Sequence, residues 1–424
     1  MTASIESNTQ AILLLTSPLR ASARGGDSAA LPLSLGEYND FARALHERKR
    51  SPSDLLGDDA LHLIAECRGT LDAARLERLL ARGLALAQAI ELWSSRSIWV
   101  VSRAESSYPR RLRARFKDAA PPLVYGCGDI ALCDAGGLAI VGSRDASEEQ
   151  LEFARDAART AASFGCNVVS GGARGVDQAA MTAALAHGGS AVGMLADGLA
   201  RAAVDRQYRD ALRAGRLVLV SSCDPSAGFH AGLAMQRNRL IYALADAGLV
   251  VHAEFEKGGT WAGAIEQLRK FRFGPIYVRA QGSLGKGLAG LQERGAMPWP
   301  GPSSAEELKR ALTASPATRR AQAELPFGNG VGGDSVREAP PVELTSPAVN
   351  EPAARPAAEE LFDEVRRLVR AIAVPKSEAE LASALGVCKA QAKAWITRLV
   401  DEGLLAKTKR PVRYQRVGSS EGEA

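Results

Sequence analysis

The chain has 424 residues, of which 46% are apolar and 24% are charged, which is ordinary for a globular protein of two or three domains. Its formal net charge of +5 favours an anionic partner without requiring one. The six cysteines form no C-x-x-C pair, and no uncharged apolar span is long enough to cross a membrane. We therefore expect a cytoplasmic protein with reduced thiols, no disulfide frame, no zinc site and no membrane contact.

The first 96 residues are predicted to precede the main domain. Residues 1–34 are rich in Ser, Ala and Gly and are predicted to be loosely ordered. Residues 35–96 repeat Leu and Ala at helical spacing, which predicts a small helical module. Since the charges of this module form no basic face, we interpret it as a cap that packs on the next domain.

A basic helix is predicted between strand-like runs within residues 97–132. It carries a run of cations, Arg110, Arg111, Arg113, Arg115 and Lys117. We interpret this run as a solvated helix face, and a phosphate contact is the alternative.

Six strand-like apolar runs alternate with helical segments in the main domain, residues 97–312. They lie at 138–141, 167–170, 191–195, 217–220, 249–252 and 275–278. Continuous apolar runs are typical of parallel strands that are buried on both faces, so we predict a doubly wound, mostly parallel Rossmann-like α/β sheet. Ser147 and Gln150 form a capping-box pattern that predicts a helix start directly after the loop at 142–144.

Glycines and arginines follow two of these strands, at Gly142 to Arg144 and again at 170–177. The carboxyl ends of parallel strands present loops and helix N-termini to anions. Glycine allows a close backbone approach, and Arg144 and Arg174 add planar, charged donors suited to phosphate. The pattern predicts a phosphate-facing crevice. Because glycines flank both arginines, we expect neither to form an ion pair within the fold.

The C-terminal third is predicted to contain a flexible linker at 313–357, a folded domain at 358–416 and a tail at 417–424. The folded domain resembles a winged helix-turn-helix: three helices and a basic hairpin. Its predicted DNA-binding residues are Lys389, Lys393, Lys409, Arg410 and Arg413. The alternatives are a small helical domain without DNA contact and a protein-interaction module.

Motifs of catalysis are incomplete in this sequence. The glycines at 172 and 175 supply only part of a dinucleotide fingerprint, and the Gly285–Lys286 pair lacks the rest of a P-loop. The five histidines show no metal-binding spacing. We predict no catalytic residue, metal or cofactor.

Several loops together resemble the DNA-processing protein A family, DprA, also called Smf. The resemblance rests on SSYPRRL at 106–112, VGSR at 141–144, SGGARGVD at 170–177, RNRLI at 237–241, KGGT at 257–260 and GLAGLQERGAM at 287–297. It implies a non-catalytic protein that binds single-stranded DNA, forms a homodimer and loads a RecA-type recombinase during natural transformation. It also allows the N-terminal helical module to assist DNA binding.

The residues that the resemblance places in the DNA-binding pocket are Gly142, Ser143, Arg144, Ser170, Gly171, Arg174, Gly175, Arg237, Asn238, Arg239, Lys257 and Gly259. Arg237 and Arg239 both contact one strand only if their segment precedes a helix, because residues two apart in a helix point about 200° apart. If the segment lies within the helix, one of the two arginines braces the pocket instead, with Asn238 orienting it. Met181, Gln236, His252 and Gly258 depart from the family pattern. These departures indicate a divergent branch that acts in transformation, recombination or phage defence.

Two other functions stay open at this point. GGT at 258–260 with Glu266 has a partial similarity to the loop of lysine-decarboxylase-like proteins, which hydrolyse nucleotides. A chain of that type is a nucleotide-hydrolysing enzyme or a nucleotide-binding defence sensor. A fold that only scaffolds partner proteins is the third interpretation, and it predicts no salt-dependent affinity for nucleic acid.

Overall fold

The computed structural model describes residues 5–19, 31–67, 71–228, 230–282 and 284–314, and scattered positions between 366 and 416. The chain divides into two compact units, Met1–Gly328 and Asn329–Ala424. Within the described residues, no helix combines the length and apolar composition needed to cross a bilayer. The cysteines described there, which exclude position 388, form no disulfide.

Five helices precede the main sheet: α1 Ser7–Thr16, α2 Leu35–Glu47, α3 Ala60–Glu66, α4 Ala73–Leu80 and α5 Gly83–Ser95. The prediction of a loosely ordered N-terminus is wrong for α1, because its Leu13 and Leu15 are fully buried against the other helices and the first strands. The buried Thr9 hydroxyl lies 2.7 Å from the Ser102 hydroxyl and donates to the Glu105 carboxylate. A helix that carries five consecutive apolar residues thus joins the core instead of lying free.

The main sheet has nine strands in the order β1-β2-β6-β5-β4-β3-β7-β8-β9. The strands are β1 Trp99–Ser102, β2 Leu123–Gly128, β3 Leu138–Val141, β4 Val168–Ser170, β5 Ala191–Leu195, β6 Leu217–Ser221, β7 Ala247–Val250, β8 Ile276–Val278 and β9 Met297–Pro298. Strands β3 to β9 pair in parallel, whereas β2 pairs antiparallel with β1 and β6. The predicted doubly wound, mostly parallel α/β sheet is confirmed.

Helices cover both faces of this sheet. They are α6 Arg110–Phe116, α7 Glu148–Ser163, α8 Val176–Ala186, α9 Leu199–Ala202, α10 Arg206–Arg213, α11 Ala231–Leu244, α12 Gly258–Glu266, α13 Gly285–Glu293 and α14 Ala305–Thr313. Successive β3 side chains alternate between the faces. Leu138 and Ile140 pack with α7, α8 and α14, whereas Ala139 and Val141 pack with α6, α11, α12 and α13. The predicted capping box of Ser147 and Gln150 starts α7.

Two arginines of the basic helix α6 bond to the C-terminal end of α11, whereas they were predicted to face solvent. Arg115 donates to the carbonyls of Tyr242 and Ala243, at 2.9 and 3.0 Å, at the C-terminus of α11. Arg111 forms an ion pair of 2.8 Å with Asp246 just beyond that helix. Cations at a helix C-terminus satisfy its last carbonyls and oppose its negative dipole end. The run of arginines therefore holds α11, which in turn lines the candidate site.

The second unit contains a small core and a hairpin. Strand β10, Leu405–Lys407, pairs antiparallel with β11, Tyr414–Arg416, where the basic hairpin was predicted. Ile396 and Leu399 are buried in its core. The winged helix as a whole stays a prediction, since most of residues 358–416 and the linker from 315 to 357 lie outside the described residues.

Candidate functional site

A cavity of about 370 Å³ opens at the carboxyl ends of β3 and β7. Strand β3 pairs with β4 on one side and β7 on the other, and the chain leaves β3 into α7 on one face but leaves β7 into α12 on the opposite face. Loops that part in this way leave a crevice, which is the general ligand position of open α/β sheets. The predicted crevice is therefore present at the switch point of the sheet.

Seven of the twelve predicted pocket residues line this cavity: Gly142, Ser143, Arg144, Arg237, Asn238, Lys257 and Gly259. The other five do not line it: Ser170, Gly171, Arg174, Gly175 and Arg239. Residues that sequence reasoning did not assign also line it, among them Asp177, Tyr242 and Thr260. Asp177 could have been found from the sequence, because it is an acid at the end of a glycine loop, and a buried acid needs a charged or hydrogen-bonding partner.

An ion pair between Arg237 and Asp177 forms the floor of the cavity. The Arg237 Nη1 atom lies 3.3 Å from Asp177 Oδ2, and the two side chains are 7% and 8% exposed. Burial raises the pKa of Asp177, although the Arg237 guanidinium and the backbone amides of Gly142 and Ala173 act to lower it. The pair thus places a buried guanidinium against the ligand space.

Two buried polar atoms at the cavity make no hydrogen bond within the described part of the chain. They are the Nε atom of Arg237 and the hydroxyl of Tyr242. Both residues line the cavity. A buried donor without a partner is costly, so each atom is suited to a polar group of a ligand.

The rim of the cavity is the N-terminus of α12. Lys257 is the N-cap residue of this helix and lines the cavity together with Gly258, Gly259 and Thr260. The first N–H groups of a helix have no intrahelical acceptor and attract anions, and the Lys257 ammonium adds a full positive charge. The rim therefore combines the donors of a helix N-terminus with positive charge, and Arg144 lies on its β3 side.

Side chains brace this rim against the neighbouring elements. The Thr260 hydroxyl donates to the Gly142 carbonyl at 3.0 Å, which ties α12 to the loop after β3. The Asn238 amide donates to the Gly259 carbonyl at 2.9 Å. Asn238 thus holds the glycine loop, whereas the partner that orients Arg237 is Asp177.

Two predicted pocket residues act from behind the cavity wall. A Cβ atom on Gly171 would lie 1.2 Å from Arg237 Nη1, so the absence of a side chain makes room for the guanidinium. Ser170 is fully buried, and its hydroxyl donates to the Ile140 carbonyl at 2.6 Å between β4 and β3. Both residues support the site without facing its ligand space.

Arg174 lies outside the cavity, in a contact that the sequence did not predict. It pairs with Asp145 at 2.6 Å, which contradicts the expectation that it forms no ion pair. The two side chains are 76% and 83% exposed, so water screens the pair and it adds little stability. Gly175, with φ of +90°, is the N-cap of α8. Arg174 and Gly175 border a groove of about 690 Å³ between α7 and α8.

Arg239 and Glu266 form an ion pair of 2.7 Å away from the cavity. The segment of Arg237 and Arg239 lies inside α11, so the two arginines point in different directions and only Arg237 lines the cavity. Glu266 sits at the last position of α12, remote from the glycines at its start. Glu266 therefore does not lie beside the glycine loop, where the nucleotide-hydrolysing alternative requires its acid.

The five predicted DNA-binding residues of the second unit, Lys389, Lys393, Lys409, Arg410 and Arg413, lie outside the described residues. Among the residues that are described, no group of three or more His, Cys, Asp or Glu side chains is placed to hold a metal ion.

Comparison with known proteins links the region around this cavity to one family. Residues 99–298 match the family model of DNA recombination-mediator protein A. DNA processing protein A (DprA) from Streptococcus pneumoniae is similar in structure, with a TM-score of 0.53 and 18% identity over 72% of this chain and 98% of that chain. DNA processing protein A from Helicobacter pylori, which binds single-stranded DNA, has a TM-score of 0.41 and 22% identity over 53% of this chain and 96% of that chain. A comparison with curated protein sequences finds no match.

Proposed function

The chain belongs, through residues 99–298, to the DNA recombination-mediator protein A family, and on this premise we propose that it binds single-stranded DNA in the cavity at the switch point of its sheet. A role in DNA processing follows from the membership itself. The proposal is that binding, without a chemical step on the strand, is the activity of this domain.

The observation that carries the proposal is the layered arrangement of donors in the cavity. The N-terminus of α12 and Lys257 form a phosphate site at the rim of the cavity. The Nε atom of Arg237 and the hydroxyl of Tyr242 lie at its floor. A nucleotide that places its phosphate at the rim directs its sugar or base toward these floor donors. A space of about 370 Å³ between two loops suits one splayed nucleotide, and the width of a duplex does not fit it.

The proposal is tested by fluorescence anisotropy with labelled single- and double-stranded 20-mers across a salt series. We expect Lys257→Ala and Arg144→Ala each to weaken single-strand binding and to reduce the slope of log K against log salt by about 0.7, the value for one lost phosphate contact. Lys309→Ala, an exposed lysine on α14, is the matched control and leaves both quantities unchanged. Melting temperatures of all three variants are expected to equal that of the wild type within a few degrees.

Unchanged affinity in both cavity variants would remove the cavity from the binding site. Release of a base from a nucleoside monophosphate by the purified protein would instead support the nucleotide-hydrolysing alternative. Absence of any salt-dependent affinity would favour the scaffold interpretation.

The wider role that we propose is in DNA recombination in the cytoplasm, as a homodimer that delivers single-stranded DNA to a RecA-type recombinase, in natural transformation or a related pathway. The second unit is proposed to contact double-stranded DNA through its basic residues. The resemblance in the signature loops supports this role. A strand-exchange assay with single-stranded DNA coated by its binding protein tests it: addition of the chain is expected to shorten the lag before recombinase filaments form, and an unchanged lag would contradict it.

A further inference from the structure

A second basic surface lies at the far end of α12. The helix starts at the cavity with its N-cap Lys257 and continues into a π-helical turn, Gln267–Phe271, that leads to the start of β8, at the amino-terminal ends of the parallel strands. The 13 residue steps from Lys257 to Lys270, at 1.5 Å per step, place this surface roughly 20 Å from the cavity.

Three phenylalanine rings form the base of this surface, which we call the aromatic platform: Phe116, Phe271 and Phe273. The rings of Phe271 and Phe273 are stacked with centroids 5.2 Å apart. Phe116 packs its edge against both, at 5.7 and 5.3 Å. The three rings therefore pack together as one aromatic cluster.

Cations surround the aromatic platform. Arg239 and Lys270 lie over the Phe271 ring at 5.9 and 5.4 Å from its centroid. Arg269, Lys270 and Arg272, which we call the basic rim, are exposed, and none of the three forms an ion pair with a described residue. The nearest acid of the segment, Glu266, is already paired with Arg239. The surface therefore has a clear excess of positive charge.

The backbone of this segment is held in a costly conformation. Arg272 has φ of +50°, in the left-handed region that residues other than glycine rarely adopt. Gln267 is 1% exposed, and neither atom of its amide group has a hydrogen-bond partner within the described residues. Strained residues and π-helical turns concentrate at functional sites.

Complementing the dipole of α12 does not account for the basic rim. Such an interaction contributes about 0.3–1 kcal/mol and fades beyond the last turn of a helix. Arg239 already lies beside the end of α12, where it bonds Glu266. Three further exposed cations that flank aromatic rings match the composition of a surface for single-stranded nucleic acid, which combines charge for phosphates with rings for bases.

We propose that the aromatic platform and the basic rim form a second contact for the single strand held by the cavity, so that the strand runs along α11 and α12 from the carboxyl ends of the parallel strands toward their amino-terminal ends. This inference rests on the proposed function. Arg239, 41% exposed on α11, lies over Phe271 at the second contact. The basic rim would neutralise phosphates beside the aromatic platform, whose stacked rings also lie under Arg239, Lys270 and Arg115.

The test is a charge reversal measured with two lengths of DNA. In the full chain, Arg269→Glu/Lys270→Glu is expected to weaken binding of a single-stranded 20-mer roughly 10-fold or more and to reduce its salt slope by about 1.4, twice the value for one contact. Binding of a trinucleotide, which places one nucleotide in the cavity and is too short to reach the basic rim, is expected to be unchanged. The matched control is Lys309→Glu/Arg310→Glu, an adjacent exposed pair on α14 that gives the same change in net charge.

A second readout locates the contact directly. A 20-mer with 5-bromodeoxyuridine at each position in turn is cross-linked by light, and the modified peptides are identified by mass spectrometry. We expect cross-links to Phe271 or Phe273 from positions several nucleotides away from those that cross-link to the cavity, and their loss in the Arg269→Glu/Lys270→Glu variant.

Four outcomes would overturn the inference. If the rim variant and its control bind the 20-mer with equal affinity, the cavity is the only contact tested that binds DNA, and the second contact is removed. If the rim variant loses as much affinity for the trinucleotide as for the 20-mer, the rim acts by distorting the cavity. Competition by poly-glutamate as strong as that by DNA of equal charge assigns the surface to an acidic protein. Failure of the wild type to bind either oligonucleotide overturns the proposed function and this inference together.

Discussion

The ion pair at the floor of the cavity makes the strongest prediction about stability. Arg237→Met removes the charge and keeps much of the side-chain volume, so the Asp177 carboxylate is left buried without its partner. Breaking a buried pair by removing one member costs about 3–5 kcal/mol, because the remaining charge is uncompensated. For a unit of this size, that loss lowers the melting temperature by about 6–10 °C.

The cost is expected to depend on pH in one direction. Burial raises the pKa of Asp177 on folding, and loss of the Arg237 guanidinium raises it further. A carboxyl with a raised folded-state pKa stabilises the fold most where it is protonated, and this stability declines as the pH rises through that pKa. The deficit of Arg237→Met in unfolding free energy is therefore largest at pH values above the raised pKa of Asp177 and shrinks as the pH falls toward the ordinary range of a carboxyl group.

Urea unfolding of the full chain, followed by circular dichroism at several pH values, measures this deficit. Asp177→Asn/Arg237→Met is the informative second variant, since the amide oxygen still accepts from the loop backbone while the uncompensated charge is gone. It is expected to regain more than half of the lost stability. A deficit that does not change with pH, or a double variant as unstable as the single one, would refute the uncompensated-charge argument.

Three further predictions concern other parts of the fold. Gly171→Ala is expected to lower the free energy of unfolding by about 3 kcal/mol, because the added Cβ displaces the buried Arg237 guanidinium. Gly83→Ala, where an added Cβ meets no atom within 4 Å, is the control and is expected to be neutral or slightly stabilising in the same thermal unfolding experiment. Arg115→Ala is expected to cost about 2 kcal/mol in urea unfolding with trinucleotide affinity retained, since it removes hydrogen bonds to the end of α11. A hydrogen bond from Arg75 is the main cause that lowers the pKa of Glu37 from 4.5 to about 2. The melting temperature of Glu37→Gln is therefore expected to lie below that of the wild type above pH 4.5, and the difference is expected to vanish as the pH falls toward 2.

Much of the fold could be predicted because its causes are local. Parallel strands buried on both faces must be apolar throughout, and the runs at 138–141 and 191–195 coincide with β3 and β5. The start of α7 follows from a capping box, which acts over four residues. The position of the cavity follows in turn, because a doubly wound sheet has its crevice where neighbouring connections part.

Partners distant in sequence could not be predicted in this way. Arg174 was expected to face the crevice, but an ion pair depends on where Asp145 points, and 29 residues separate the two. The arginines of α6 read as a solvated face, since the carbonyls that they bond belong to a helix more than 120 residues away. Helix α1 was missed because its short apolar run is surrounded by Ser, Ala and Gly, although burial against the sheet decides its structure.

The same distinction explains the division of the predicted pocket residues. A glycine in a loop indicates a close approach, but it does not tell whether a ligand or a side chain approaches. At Gly171 the approaching group is the guanidinium of Arg237. Asp177 then holds that guanidinium from the opposite side. The glycine and the acid of one loop thus position an arginine of another element, so the SGGARGVD stretch serves the site by presenting Arg237 to the cavity and not by contacting a ligand at each residue.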